Sequence, residues 1–235
     1  MLTTKDIYLL YLDGIRSFET SVIEPELFNR IINDAQDVFV NENLPVGDLG
    51  QRQIDNLQVI ILSRELTESR KNVFVLPTDY LRKNAIFASF QEIPSDVCDI
   101  EKGEWYGVNT LKGDAFSLSA SNPYRKPSIR MRYAYITNNE VVFEVGNSKV
   151  SEAKMIYYRK PRQIFFDQDN QNDVSSAPAF GPALYTAGSG CVNSEFNDQQ
   201  KRMIVQVAVR ITLEARMNPR YKSFLNEETL RDRKN

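Results

Sequence analysis

Histidine is absent from all 235 residues of this chain. That removes Ser-His-Asp and Cys-His arrangements, His-based zinc sites, and the side chain that most often moves protons near neutral pH. Cysteine is scarce. Cys98 and Cys191 stand in no metal-binding spacing, which predicts two free thiols in a reducing compartment. A charge excess of either sign is lacking, because 29 Lys and Arg meet 31 Asp and Glu for a net charge of -2. General attraction to nucleic acid or membrane is therefore not expected, although a local basic patch is compatible with this balance. Long apolar runs are missing, so no stretch reads as a bilayer span. The opening MLTTKDIYLLYLDG has a short apolar run broken by Asp13 and no small-residue cleavage site, and it does not read as a signal peptide.

What is present suits a packed core. Hydrophobic residues make up 42% and aromatics 11%, enough for one large domain or a domain with a substantial insertion. The first third has helical periodicity. Thr3 with Asp6 makes a capping-box-like start before Ile7, Leu10, Tyr11, Ile15 and Phe18. Pro25 sits at a first helical position, followed by Leu27, Ile31, Ala35 and Val38. A third helix is expected from Asp48, with Gln51 three residues on, carrying Ile54, Leu57 and Ile61. Short connections predict antiparallel neighbours.

From about residue 70 the period changes to that of strands, at Asn72–Leu76, Ala85–Ile93, Phe116–Ala120, Ile129–Ile136, Glu140–Val145 and Lys154–Tyr158. Asn138–Asn139 is placed as a tight hairpin turn, since asparagine tolerates positive φ. In NVFVLPTDYLRK, Pro77 ends a ladder because it has no N–H to give, and Asp79 is expected to bond back to nearby amides in the turn. Residues 161–195 read as a long surface loop. The stretch NDQQKRMIVQVAVRITLEARMNP alternates in part like a strand, but its length, its Asn197/Gln200 start and its Asn218–Pro219 stop favour a buried helix. The fold class expected is α+β: an antiparallel helical bundle of N-terminal helices plus a long C-terminal helix, with an inserted antiparallel β-sheet or small barrel. The expected divisions are 1–68 with 196–217 as the bundle, 69–160 as the β insertion, 161–195 as the extended loop and 218–235 as an arm.

Candidate chemistry is sparse. DQDNQND, with Asp167, Asp169 and Asp173, begins like a calcium loop but has Asn172 where glycine is needed and Pro178 where glutamate is needed. GPALYTAGSG lacks the Gly-Lys-Ser/Thr ending of a phosphate cradle. YRKPSIRMRY interleaves bases and aromatics, so Arg130, Arg132 and Tyr133, with Lys126 beside them, are candidates for an interface or for single-stranded nucleic acid. The acids form no recognisable pair. No catalytic, cofactor-binding or metal-ligating residue is assigned, and no cofactor is expected.

Three stretches carry a family likeness: VLPTDYLRKNAIFASF with its Leu-Pro-x-Asp-aromatic turn, AKMIYYRKPRQI with its proline-stopped basic exit, and CVNSEFNDQQKRMIVQVAVRITLEAR leading into the closing helix. Together with the Asp34–Ala35–Gln36 helix, their order resembles that of head-to-tail connector proteins of tailed bacteriophages, in the style of the ring proteins of crAss-like short-tailed phages. The resemblance spans most of residues 25–217. It implies a non-enzymatic virion protein at the head–tail junction, assembled in the host bacterial cytoplasm. Such proteins form closed rings, usually dodecameric, against a portal protein and further tail or ring proteins, and genomic DNA passes through the lumen without sequence recognition. No membrane partner is implied. By the same resemblance the C-terminal arm is the candidate portal or ring contact, through Tyr221, Phe224, Leu225, Leu230, Arg231 and Arg233. Two alternatives remain open: a nucleic-acid-binding module using the strand around 124–133, and a carboxylate enzyme acting on glycans.

Overall fold

A computed structural model describes residues 2–16, 23–44, 55–94, 97, 99–111, 126–167 and 190–215. The chain is α+β and divides into two compact units, Met1–Val59 with Pro161–Asn235, and Ile60–Lys160.

In the first unit, helices α1 (Thr4–Arg16) and α2 (Pro25–Asn43) both pack against α3 (Asp198–Ala215). The caps are those the sequence indicates. The Thr3 amide donates to Asp6 Oδ2 at 2.9 Å and the Asp6 amide returns a 3.3 Å bond to Thr3 Oγ1. Asn197 and Gln200 exchange equivalent bonds at 3.0 and 2.9 Å. The Thr3 amide, and then its hydroxyl, hold the Asp6 carboxyl below its ordinary value. Aromatic packing fills the contact between α1 and α2, where Tyr8 and Tyr11 lie 4.9 and 5.2 Å from the Phe28 ring. Thr212 gives its proton to the Ala208 carbonyl, so the 2.8 Å bond between Tyr11 and Thr212 has the tyrosine as donor. At Gly14 the helices come close: a Cβ there would sit 2.7 Å from Val209 Cγ2.

Two expectations need correcting here. Of the expected third helix, residues 48–54 lie outside the described ones, 55–57 are helical and run into a 3-10 turn at Gln58–Ile60, but Ile61, expected on that helix, belongs to a strand. Cross-strand pairing on both sides overrides the helical propensity of Ile61–Arg70. The expected surface loop at 161–195 has buried ends. Ile164, Phe165, Phe166, Asp167, Cys191 and Ser194 are all buried, and Phe165 and Val192 form an antiparallel bridge.

The second unit is one eight-stranded sheet in the order β4-β3-β8-β1-β2-β7-β6-β5. Its strands are β1 (Ile61–Arg70), β2 (Val73–Val75), β3 (Tyr80–Ser89), β4 (Tyr106–Gly107), β5 (Asn109–Thr110), β6 (Tyr133–Thr137), β7 (Glu140–Glu144) and β8 (Glu152–Arg159). All described pairings are antiparallel except β5 with β6. One long strand, β1, links the two halves of the sheet. Residues Ile61–Leu66 of β1 pair with β8, and Thr67–Arg70 pair with β2. At the other side β4 and β5 are separated by Val108 alone, so the two ends of the strand order are consecutive in the chain. Val108 donates to the Ile86 carbonyl and Asn109 to the Arg132 carbonyl, stitching one residue to each side. The result is a nearly closed barrel around Leu66, Phe74, Phe90, Phe143, Met155 and Tyr157. The expected strand at Phe116–Ala120 lies outside the described residues.

Asn72 pins this barrel. It adopts φ 60° in the β1–β2 turn. Its carbonyl accepts from Phe143, its Nδ2 donates to the Ser148 carbonyl and its Oδ1 accepts from the Val150 amide. Replacing it with alanine removes two bonds worth about 1 kcal/mol each and adds a positive-φ penalty of about 1–2 kcal/mol. Urea unfolding should therefore show Asn72→Ala less stable by roughly 2–4 kcal/mol and Asn72→Gly less affected. Equal losses would mean that the backbone conformation contributes nothing.

Candidate interaction surfaces

Three places gather polar groups in unusual company. The first is the basic and aromatic stretch singled out by sequence. Arg130 does not lie on a strand, since β6 begins only at Tyr133. Its Nε donates to Asp99 Oδ1 at 2.9 Å, an exposed ion pair. Arg132 is tied more firmly. Nε donates to the Gly107 carbonyl and Nη1 to the Ile129 carbonyl, while the guanidinium lies 4.9 Å from the Tyr106 ring centre. Burial pushes Arg132 below its ordinary pKa, with Tyr106 and Asp99 pulling the other way. The Tyr133 hydroxyl contacts Met131 Sδ at 3.8 Å. The two arginines are thus drawn to opposite tasks rather than forming one positive strand face. Arg132 braces the β4–β5 corner that closes the barrel.

The second place is on α2. Asn29, Asn33 and Gln36 fall on one helical face, and all three reach the same extended segment. Asn29 exchanges two bonds with the Phe166 backbone, at 3.0 and 2.8 Å. Asn33 exchanges two with Ile164, both at 2.8 Å. Gln36 Nε2 donates to the Arg162 carbonyl at 2.8 Å. Side chains here replace the neighbouring strand that residues 162–166 lack on this edge. The other side is held by the Phe165–Val192 bridge, and Gly190 donates to Asp167 Oδ2 at 3.1 Å. The chain therefore leaves at Asp167 and returns at Gly190 through one buried neck. Asp167, read in sequence as the first residue of a failed calcium loop, serves this neck. Asp169 and Asp173 lie outside the described residues, and among those described no group of acids, cysteines or histidines could hold a metal. Sequence reasoning missed this ladder, although three amides at helical spacing beside buried Phe28, Ile32 and Ala35 are its visible signal.

The third place is the turn that follows Pro77. Asp79 does not bond back to local amides as expected. Its Oδ1 accepts from the Tyr157 hydroxyl at 2.9 Å, and its carbonyl accepts from the Lys160 amide. Burial, and then the bond to Asp79, raise the Tyr157 hydroxyl above its ordinary value, with the Arg64 guanidinium opposing. Tyr80 lies 6.1 Å from Tyr157 and accepts from the Lys83 amide. This sidestep of the carboxylate across the sheet fastens the start of β3 to the end of β8.

The arm residues Tyr221, Phe224, Leu225, Leu230, Arg231 and Arg233 lie outside the described residues. Compared with protein-family models and with curated protein sequences, the chain has no match in either. No described helix is long and apolar enough to cross a membrane.

Two stability orders follow from these contacts. Asn29→Ala should lose about 2–4 kcal/mol because it strands both buried polar groups of Phe166, and the less buried Asn33→Ala should lose less. Thermal unfolding of the two variants checks the order. In the barrel, Arg132→Ala should cost about 1–2 kcal/mol and Arg130→Ala less than about 0.5 kcal/mol, given one arginine braced by carbonyls and one in an exposed pair. Equal effects would contradict the division of roles.

Proposed function

We propose that this chain is a virion structural protein, a subunit of the head–tail connector ring of a tailed bacteriophage. The observation that carries this reading is the order of the chain. Two separated segments, Met1–Val59 and Pro161–Asn235, make one compact unit in which α1 and α2 both pack against α3, and the barrel of Ile60–Lys160 is inserted between them. That order matches what the resemblance of the Pro77 turn, the AKMIYYRKPRQI exit and the closing helix implies. In this reading α1, α2 and α3 are the described part of an antiparallel helical bundle.

A ring subunit acts by assembly and not by catalysis. It needs two unlike surfaces that match head to tail, because heterologous contacts can close into a ring. It also needs segments that reach beyond its own fold. The excursion between Asp167 and Gly190 and the arm 218–235 fill that role here, with Tyr221, Phe224, Leu225, Leu230, Arg231 and Arg233 as the portal-facing side chains. The partners are further copies of the chain in a closed ring, the portal and neighbouring tail proteins. Genomic DNA passes without sequence recognition, and a net charge of -2 spares it a strong counterion-release grip. The nucleic-acid-binding alternative is less well supported, since both candidate arginines already hold protein partners.

Light scattering of the purified chain, alone and mixed with its portal, tests the proposal. A ring-sized species, or one that forms on mixing, is expected, and a monomer under both conditions overturns the reading. Deleting Tyr221–Asn235 should leave the unfolding temperature of the monomer unchanged while weakening portal binding. Unchanged binding would remove the arm from the interface.

A further inference from the structure

Gly107 has no internal reason to be glycine. It lies in β4, where glycine weakens a strand by leaving the backbone loose and packing no side chain. Its φ is not in the positive range, so the corner at Val108 does not require it. Crowding does not require it either. A Cβ built there meets nothing within 4 Å, not even the Arg132 guanidinium that bonds to the Gly107 carbonyl. A strand glycine free of these demands marks a place where something from outside comes close to the backbone.

The register shows which side chains surround that opening. Gly107 is opposite Phe87, Phe87 is opposite Lys154, and Lys154 is opposite Glu65, so these residues form one row across β4, β3, β8 and β1. Their chain neighbours Ala88, Ala153 and Leu66 belong to the core. By the alternation of a strand, the row therefore stands on the outer face of the barrel. Trp105, two positions before Gly107, shares that face, since the Lys154 ammonium lies 5.9 Å from its ring centre. Trp105 is 38% exposed. Among the described residues Lys154 and Glu65 form no ion pair, with each other or with any other residue.

We propose that this outer face is a platform for a neutral saccharide, whose ring lies on the Trp105 indole with one edge over Gly107 and whose hydroxyls reach Lys154 and Glu65. The class follows from the groups present. Trp105 and Phe87 offer aromatic surface to the C–H side of a sugar ring. Lys154 only donates and an ionised Glu65 only accepts, and a hydroxyl is the group that can answer both. Lys154 disfavours a cation and Glu65 an anion, which leaves a neutral ligand. A proline-rich segment would also stack on the indole, but its imide backbone offers carbonyls without N–H groups and leaves Glu65 unanswered. A face this shallow holds its ligand weakly, with a dissociation constant on the order of 1 mM. Every residue in the platform belongs to the barrel, and the assignment stands whether or not the chain forms rings.

Trp105 is the one tryptophan of the chain, so its emission reports on this face without a label. The full chain is titrated with maltotriose, cellotriose and chitotriose, and separately with a proline-rich peptide. A saturable change in emission with at least one trisaccharide is expected. Gly107→Val should keep or raise the unfolding temperature, because its side chain enters open space in a strand, and should lose the saturable change. Lys154→Met should weaken binding roughly tenfold, the size of one lost charged hydrogen bond. The proposal is overturned by the absence of a saturable change with all three sugars, or by a change that survives in Gly107→Val or is undiminished in Lys154→Met. A destabilised Gly107→Val also overturns it, since the glycine would then serve the fold. Saturation by the peptide alone overturns its chemical class.

Discussion

The helical unit depends on one constraint: an extended backbone must be buried where there is no sheet to receive it. Residues 162–166 bring the chain back after the barrel, and their N–H and C=O groups cannot be left bare in an apolar setting. Helix α2 answers with Asn29, Asn33 and Gln36, whose amides offer the donor and acceptor pattern of a strand edge. Because this segment is fixed, Phe166 can stack on Tyr8 at 4.5 Å and stand against Phe28, so α1, α2 and the returning chain share one aromatic core. Phe196, just before α3, then meets Phe39 at 5.7 Å.

The start of the described chain is held with equal care. Leu2 donates to Asp198 and accepts from Lys201, and Thr4 bonds to Asn193 through both its amide and its hydroxyl. Lys201 is almost fully buried, so its ammonium relies on the Leu2 carbonyl at 2.7 Å and on Asp198 at 3.9 Å. The Leu2 amide is the largest influence holding the Asp198 carboxyl below its ordinary value. Any stabilisation from this lowered carboxyl is complete above the ordinary aspartate range and is lost as pH falls through the lowered value. Acid should therefore loosen this corner of the unit before its apolar core.

Much of the fold was legible because local chemistry and tertiary packing agree. Pro25, the Thr3/Asp6 and Asn197/Gln200 boxes, and the turn at Asn138, with φ 26°, act where the sequence places them. The alternating valines of α3 did not mislead, because buried Ile204, Val205, Ala208, Thr212 and Leu213 keep a helical period. Legibility failed where partners are distant in sequence. β1 carries exposed residues at most positions and gains its strand character from β8 and β2, which no local pattern reveals. Asp79 looked like a turn former, but its partner is Tyr157, 78 residues away. The basic stretch looked like a surface for a ligand, whereas Arg132 is spent on closing the barrel. The amide ladder was hidden because asparagine on a helix is ordinarily a solvated or capping residue.

That ladder is what allows a helical unit to be interrupted by a barrel and still close. Amide hydrogen exchange at Ile164 and Phe166 tests it most directly, because each N–H donates to a side-chain oxygen of α2 and to no strand. Protection at both amides comparable to that in the middle of α3 is the result expected. Exchange at the rate of an unstructured chain, with α3 still protected, would contradict it.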